Sequence, residues 1–176
     1  MSYISVDIEA DGQCPGLYNM VCFGAVVVRP GLKDTFYGET APVFPDKWDP
    51  EALAVSGFTH EQHLAFAQPE ETMRNFAAWL EKVNNGRRRP MFIADNNGFD
   101  WQYINWYFHR YLGKNPFGFS STNLGSLYKG LVKDARKNFK HLRKTKHDHN
   151  PVNDAKGNAE ALLHMQQEMG LNIQLD

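Results

Sequence analysis

The stretch YISVDIEA, residues 3–10, alternates apolar and polar side chains along its whole length. Successive side chains of a β-strand lie on opposite faces, so the apolar residues face one way and Asp7 and Glu9 face the other. The pattern therefore predicts a strand with both carboxylates on one face. Two interpretations stay open on this pattern alone. The strand is either central in a sheet, or it lies at an edge with its polar face in water.

The central position would be costly for the two acids. A buried carboxylate is unfavourable unless it is paired or binds a cation. Asp7 and Glu9 are two residues apart, so their side chains lie roughly 7 Å apart on the strand, and each charge raises the pKa of the other. A central strand would therefore indicate a cation or another positive partner for this pair.

The rest of the chain predicts two more strands and then helices that alternate with a further strand. The last helix begins after His149, with Asn150 as its N-cap and Pro151 at its first position. This order predicts an α/β fold, a mixed central sheet flanked by helices, in one domain that spans residues 1–176. The predicted elements are strands at 20–28, 34–43 and 90–95, and helices at 48–57, 69–84, 99–112 and from 122 or 123 onward.

Length and composition are typical of a folded globular protein. A chain of 176 residues with 42% hydrophobic side chains is large enough to bury a core and is not disordered. Cys14 and Cys22 are too few for a disulfide scaffold and lack zinc-ligand spacing, which indicates reduced thiols in a cytoplasmic protein. Acids from Asp7 onward exclude a signal peptide, and no apolar run approaches the roughly 18 residues that span a bilayer.

Residues 129–146 form a basic segment directly ahead of His149. A single acid, Asp134, opposes eight basic side chains there. A charge run of this kind is either a solvated helix face, which is the commoner case for a lone run, or a phosphate-binding surface. The eight residues are Lys129, Lys133, Arg136, Lys137, Lys140, Arg143, Lys144 and Lys146.

Two further acids occupy places where α/β proteins bind ligands. Asp100 follows the strand at 90–95 and opens a helix, and Asp154 lies in the first turn of the last helix. Each alone is explained by the helix dipole. Together with Asp7 and Glu9 they make four oxygen donors beside a histidine, which indicates Mg²⁺ or Mn²⁺ rather than zinc and suits two-metal phosphoryl transfer.

Three motifs resemble those of the DEDD 3′–5′ exonucleases, in the histidine (DEDDh) subtype of the DnaQ-like or RNase T superfamily, which has a ribonuclease H-like fold. VDIEADG (6–12) resembles the first motif, Asp-x-Glu, and NNGFDWQYI (96–104) resembles the second through Asp100. HNPVNDA (149–155) resembles the third, in which His149 precedes Asp154 by five residues. The motifs follow the family order over residues 3 to about 165.

The resemblance implies a metal-dependent 3′–5′ exonuclease that releases nucleoside 5′-monophosphates from the 3′ end of a single strand. It implies that the four acids hold two Mg²⁺ or Mn²⁺ ions per site and that His149 is the general base. We expect RNA as the substrate, because a short domain of this type resembles the RNA-processing branch, although the sequence does not determine the sugar. The implied metal ligands are Asp7, Glu9, Asp100 and Asp154.

The resemblance also implies a substrate cleft and a homodimer. In the family, a segment similar to 49–63 lines the cleft, and an apolar residue after a glycine packs against the terminal base. That residue is Phe58, for which a place in the core is the alternative. We interpret His147 as a surface or phosphate-facing residue. The helix at 99–112 carries more aromatic surface than one core-facing stripe needs, which favours dimerisation. The other expected substrate-binding residues are Ala10, Gly57, Asn97, Trp101, Lys144 and Lys146.

The loop after Glu9 departs from the family pattern. Many relatives carry a Thr-Gly-Leu type sequence there, whereas ADGQCPGL (10–17) intervenes here, so how this loop holds the last nucleotides stays open. Two alternative functions also remain, a 3′–5′ exodeoxyribonuclease and a catalytically inactive nucleic-acid-binding module. The complete set of four acids and His149 argues against the inactive module.

Overall fold

A five-stranded mixed sheet and six α-helices are built by residues 2–86 and 89–175, the part of the chain that the computed structural model describes. The strands are β1 Tyr3–Ala10, β2 Met20–Val27, β3 Thr35–Glu39, β4 Met91–Ala94 and β5 Ser121–Asn123. The helices are α1 Pro50–Val55, α2 His60–Leu64, α3 Pro69–Asn84, α4 Asn97–Leu112, α5 Leu124–Val132 and α6 Pro151–Glu168, with a 3₁₀ turn at Lys140–Leu142.

The strand that carries Asp7 and Glu9 is central. The sheet order is β3-β2-β1-β4-β5, in which β1 pairs antiparallel with β2 and parallel with β4. The interpretation of 3–10 as an edge strand is therefore wrong, and the predicted mixed α/β sheet with flanking helices is confirmed. The two carboxylates lie inside the protein, where each needs a compensating partner.

The two faces of the sheet pack against different helices. Ile4, Val6 and Ile8 of β1 are at most 4% exposed and belong to the core that contains α3 and α4. The second core lies on the opposite face and is built mainly from α5 and α6. Because side chains alternate along β1, Asp7 and Glu9 lie on the second face, under α6.

The cap residue of α6 is the one that the sequence predicts. Asn150 Oδ1 accepts hydrogen bonds from the backbone N–H groups of Val152 at 3.0 Å and Asn153 at 3.3 Å. Pro151 occupies the first turn, where its missing N–H costs no hydrogen bond. Asp49 caps α1 in the same way. The start of α6, and with it the position of Asp154, is thus determined locally.

Two elements were not predicted. α2 begins at a capping box, in which Thr59 Oγ1 accepts from Gln62 N at 3.2 Å and Gln62 Oε1 accepts from Thr59 N at 2.8 Å. The Thr-x-x-Gln spacing is the signal that could have revealed it. β5 is three residues long, Ser-Thr-Asn, with no apolar alternation, and its parallel pairing with β4 is what makes it a strand.

The aromatic side chains of α4 are used largely within the chain, which removes much of the sequence-based support for a dimer. Three are fully buried, Tyr103, Tyr107 and Phe108. Four are partly buried and pack against the same core, Phe99, Trp101, Trp106 and Tyr111. Cys14 and Cys22 are free thiols, as predicted. Within the described residues, no helix has the length and apolarity needed to cross a membrane.

Candidate active site

Three of the four predicted ligands meet at one point. Asp7, Glu9 and Asp154 each place a carboxylate oxygen within 4.8 Å of the others. Gly24 of β2 pairs with Asp7 across the sheet, and a Cβ at Gly24 would lie 2.4 Å from the Pro151 carbonyl carbon. Since glycine has no Cβ, the first turn of α6 rests directly on the sheet. This close approach brings the Asp154 carboxylate to the two carboxylates of β1.

Asp100 borders this cluster and is tied to the strand between its two acids. Its Oδ1 accepts a hydrogen bond from the backbone N–H of Ile8 at 3.1 Å. β4 pairs with β1 only as far as Ser5, so the Ile8 N–H needs a partner beyond the end of that ladder. Asp100 is 3% exposed. A fourth carboxylate is thereby held beside the cluster through the backbone between Asp7 and Glu9.

The protein around these carboxylates disfavours their charged forms. Burial, and then the charges of Asp100, Asp154 and Glu9, hold the pKa of Asp7 well above its ordinary value. Burial and the Asp154 charge raise the pKa of Glu9 to about 7. Burial also raises the pKa of Asp100 to about 8, with Asp95 and Glu9 adding to the shift. The cluster therefore favours any species that supplies positive charge, either protons or a cation.

The donor set fits a hard divalent cation. Both carboxylate oxygens of Asp154 are buried and accept no hydrogen bond within the described residues. Such unpaired buried oxygens are costly unless a ligand satisfies them. The cluster consists of oxygen donors only, which Mg²⁺ and Mn²⁺ prefer and which zinc sites rarely use alone. Asp7, Glu9 and Asp154, bordered by Asp100, are the residues that could hold the metal.

Both histidines of the segment before α6 lie at the carboxylates. His149 Nδ1 is 3.8 Å from Glu9 Oε1, and half of the His149 side chain is exposed. The backbone of His149 has φ 59°, a left-handed conformation that few residues with a side chain adopt. The general base that the sequence predicts is therefore next to the cluster, on the solvent side.

His147 is closer to the carboxylates than the sequence predicts. Its Nδ1 lies 2.7 Å from Asp154 Oδ1, although the contact lacks hydrogen-bond geometry, and its ring centre lies 4.5 Å from that of His149. The side chain is 54% exposed, as a surface residue would be. The exposure agrees with the interpretation as a surface residue, and the structure adds a contact with a predicted metal ligand.

The basic segment forms one wall of the cleft. The cleft has a volume of about 540 Å³ and is lined by Lys144 and Lys146, as expected, and also by Lys140 and Arg143. Arg143 differs from its basic neighbours because its side chain is only 9% exposed. Its Nη2 donates to Asp95 Oδ2 at 3.0 Å and to a second oxygen, that of the Asn158 side chain. The sequence contains no signal that separates Arg143 from the rest of the run.

The structure does not bring every predicted substrate-binding residue to this cleft. Trp101 packs edge-on against Phe92 in the core at 5.1 Å, and Asn97 Nδ2 donates to Ser121 Oγ at 2.8 Å, tying α4 to β5. Neither lines the cleft, and Ala10 and Gly57 do not line it either. The part of the cleft wall near Asp100 is instead formed by Asp95, Asn96 and Phe99, which follow β4 or lie at the start of α4. Their position at the carboxyl end of a parallel strand is the signal that was missed.

Phe58 takes a position between its two predicted alternatives. It is half-buried and packs with Phe66, at a ring distance of 4.9 Å and nearly perpendicular. Both rings lie on a small cluster centred on Val21, Cys22 and Leu53, which is separate from the two main cores. Part of the ring therefore stays available to a ligand.

The loop after β1 is closed by Asp11, a residue that the sequence did not single out. Asp11 is fully buried, and its carboxylate accepts hydrogen bonds from Asn19 N at 2.6 Å and Asn19 Nδ2 at 2.8 Å. Its carbonyl accepts from Asp49 N at 2.8 Å, which joins the loop to the start of α1. Residues 12–18 thus form an excursion with Leu17 exposed. The stretch that departs from the family pattern is thus a loop closed at its base by Asp11 and Asn19.

Comparison with known proteins identifies a relative of known activity. The chain is 36% identical over 131 residues to the 3′–5′ DNA exonuclease Cap18 of Escherichia coli, an alignment that covers 73% of this chain and 68% of that protein. No family model matches the chain.

Solved nuclease structures share the fold at low sequence identity. The nuclease domain of 3′hExo, a DEDDh family member bound to rAMP, superposes with a TM-score of 0.77 at 15% identity, covering 99% of this chain and 96% of that one. The zinc-bound E. coli ExoI–ssDNA complex superposes with a TM-score of 0.67 at 18% identity, covering 94% of this chain and 41% of that one.

The sequence relative and the shared fold agree with the three motifs. The aligned portion with the E. coli enzyme exceeds two-thirds of each protein, and the structural match extends over nearly the whole of the described fold. The ribonuclease H-like sheet that the resemblance implies is thereby confirmed. The chain belongs to the DEDDh family of 3′–5′ exonucleases.

Proposed function

We propose that this exonuclease hydrolyses single-stranded nucleic acid from the 3′ end with two divalent metal ions and with His149 as general base. One observation carries the proposal: three buried or partly buried carboxylates converge within 4.8 Å, and His149 stands 3.8 Å from one of them at the mouth of a basic cleft. Acids that can hold a metal, an adjacent exposed imidazole that can act as a base and basic side chains that can bind phosphate together suit metal-assisted phosphodiester hydrolysis.

The residues divide the chemistry between them. Asp7, Glu9 and Asp154 would hold the metal, with Asp100 beside them, and bound Mg²⁺ or Mn²⁺ would supply positive charge to the reacting phosphate. With Nδ1 of His149 turned towards Glu9, its Nε2 would accept a proton from the attacking water. Lys144 and Lys146 would bind the phosphates of the strand. The products would be nucleoside 5′-monophosphates.

The sugar preference is the open part of the proposal. The sequence resemblance favours RNA, whereas the relative from E. coli is named a DNA exonuclease, and it is similar over most of its length. We therefore propose DNA as the preferred substrate, in place of our sequence-based expectation of RNA. The choice depends on contacts to the 2′ position, which backbone groups can make.

Digestion of matched oligonucleotides tests the proposal. Single-stranded RNA and DNA of one sequence, labelled at the 5′ end, are incubated with the protein and Mg²⁺, Mn²⁺ or chelator. We expect a ladder of products that shorten by one nucleotide, faster for DNA and absent in chelator. Asp154→Asn is the control for a contaminating nuclease. Equal activity of this variant, or full activity in excess chelator, would contradict the metal mechanism.

An inactive binding module is the alternative from another functional class. It predicts that the labelled strand is retained by the protein without shortening in the presence of either metal. The same incubation, analysed by filter binding, distinguishes the two functions.

We retain the homodimer as a proposal, although α4 no longer supports it strongly. Two partly buried tryptophans, Trp101 and Trp106, still line an open depression with Pro15 and Arg110. Light scattering at micromolar concentration tests the proposal, and a monomeric mass would contradict it.

A further inference from the structure

The segment that carries the histidines has almost no apolar support. Residues 146–150 are all exposed, and none belongs to a hydrophobic core. A segment without buried side chains is held only by its polar contacts, and it moves when those contacts are lost. The question is therefore which hydrogen bonds keep His149 beside Glu9.

One anchor lies at the end of the segment that adjoins α6. Asp148 Oδ1 accepts from Asn150 N at 3.1 Å, and Asp148 Oδ2 accepts from Asn153 Nδ2 at 2.9 Å. Asn150 itself caps the helix. These hydrogen bonds belong to the start of α6, which forms independently of residues 144–147.

The other anchor is formed by the carboxylate of Glu160, next to the Arg143 side chain that donates to Asn158 of the same helix. Its Oε2 accepts from the backbone N–H groups of Lys144 and Thr145, both at 2.7 Å. Its Oε1 accepts from Thr145 Oγ1 at 2.9 Å. Hydrogen bonds to an ionised acceptor are stronger than neutral ones, so three of them on one side chain make a firm attachment. Gly157 permits the approach, because a Cβ there would lie 3.2 Å from the Thr145 carbonyl oxygen.

Both anchors belong to the helix that carries Asp154. Glu160 follows Asp154 by six residues, which is about 9 Å along the helix axis. Residues 146 and 147 therefore lie between the two anchors, and His149 lies at the helix-start anchor, between Asp148 and Asn150. We infer that Glu160 is a positioning residue, whose hydrogen bonds to residues 144 and 145 keep the His149 imidazole beside the carboxylate cluster. The inference rests on the proposed role of His149 as general base.

Substitution of Glu160 tests this inference through the rate of the chemical step. Glu160→Ala should lower kcat about 10–100-fold, the usual effect of removing a group that orients a catalytic side chain. The metal-induced rise in Tm should stay unchanged, because no carboxylate of the cluster is removed. The KM for the oligonucleotide should rise together with the loss of kcat, because Lys144 and Lys146 move with the released segment. Glu168→Ala, an exposed acid on the same helix, is the matched control and should behave as wild type.

An isosteric variant separates geometry from charge. In Glu160→Gln the amide oxygen can still accept from both backbone N–H groups, and the amide NH₂ can donate to Thr145 Oγ1. We expect this variant to recover most of kcat. Recovery supports positioning by hydrogen bonds, whereas a loss equal to that of Glu160→Ala would contradict it.

A double-mutant cycle decides whether Glu160 acts through His149. In a His149→Ala background, Glu160→Ala should change kcat less than twofold, because there is no imidazole left to position. The same 10–100-fold loss in both backgrounds would overturn the inference, and so would a changed KM with kcat intact. Wild-type activity of His149→Ala alone would instead contradict the proposed function, so the two failures are distinguishable.

Discussion

The two parts of the candidate site are built in opposite ways. Asp7 and Asp154 project from a central strand and from the first turn of a capped helix, and Asp154 is only 2% exposed. His147 and His149 lie on a segment that is exposed along its length and attached by a few polar contacts. The carboxylates are placed by the packing of the fold, whereas the histidines are placed by hydrogen bonds at the surface.

This difference separates metal binding from proton transfer. A metal site needs ligands that stay in place without the metal, despite their mutual repulsion, and rigid elements provide this. A general base must reach a water molecule in a cleft that also admits substrate and releases product, which is compatible with a tethered segment. Substitutions in the two regions should therefore have different effects.

The largest effect is expected in the rigid region. Asp7→Asn removes a charged ligand atom from the middle of the cluster, so it should abolish exonuclease activity. It should also reduce the rise in Tm that Mg²⁺ or Mn²⁺ produces, since a ligand stabilises a protein only as strongly as it binds. Calorimetry with and without metal, beside an oligonucleotide assay, provides both measurements. A wild-type metal response in an inactive variant would show that Asp7 is not a ligand.

The tethered region should lose rate and keep binding. His149→Ala should lower the chemical step about 10²–10⁴-fold, with metal and oligonucleotide binding near wild type. Single-turnover kinetics as a function of pH should show that the acidic limb of the rate profile disappears, because the base that loses activity on protonation has been removed. His147→Ala is the matched comparison. If His147→Ala loses the limb and His149→Ala keeps it, the base is assigned to the wrong histidine.

Phe58→Ala tests a residue that belongs to neither region. If the half-buried ring packs against the terminal base, the variant should weaken oligonucleotide binding by about 1–3 kcal/mol. The loss of folding stability should stay below the roughly 3–5 kcal/mol expected for a fully buried phenylalanine. Fluorescence binding and thermal melting on the same preparation measure the two quantities. A large loss of stability with unchanged binding would assign Phe58 to the core alone.

The smallest expected effect is a dependence of stability on pH in metal-free protein. Burial raises the pKa of Glu9 from its ordinary 4.5 to about 7, so between those values the folded form binds a proton that the unfolded form has lost. A folded pKa above the unfolded value means that stability decreases as pH rises through the folded pKa. We therefore expect Tm in chelator to be higher at pH 6.5 than at pH 8, by a few degrees.

Two comparisons identify the source of that slope. Glu9→Gln, which carries no charge at either pH, should reduce the difference in Tm between pH 6.5 and pH 8. Saturating Mg²⁺ should reduce it as well, because a bound cation compensates the same negative charge. A slope that neither change affects would arise from groups outside the cluster.

Much of the carboxylate region was predictable because its signals are local. The alternation in 3–10 placed Asp7 and Glu9 on one face, and Asn150 with Pro151 placed Asp154 in a first helical turn. Asp100 was found by its position after a buried strand. The secondary structure around these residues follows from side-chain periodicity and capping, which act over a few residues.

The histidine region was predictable only in part. His149 was selected by motif spacing, but the contact of His147 with Asp154 depends on how a loop folds back over α6. Trp101 and Asn97 do not line the cleft, because nearness in sequence to Asp100 does not specify the direction of a side chain on a helix. Trp101 packs against Phe92 of β4, and Asn97 donates a hydrogen bond to Ser121 of β5. Both partners lie on other elements, so the sequence around Asp100 does not reveal them.

The sequence by itself determined the strand with its two acids, the capped start of α6 and the order of the three motifs, since each depends on neighbouring residues. The tertiary structure alone decided that β1 is central, that the absent Cβ of Gly24 lets α6 lie on the sheet, and that Glu160 ties the histidine segment to that helix. Each of these features depends on residues that are far apart along the chain, and no repeating sequence pattern links such residues. They become neighbours only when the sheet and helices pack together, because burial of apolar surface depends on the whole fold.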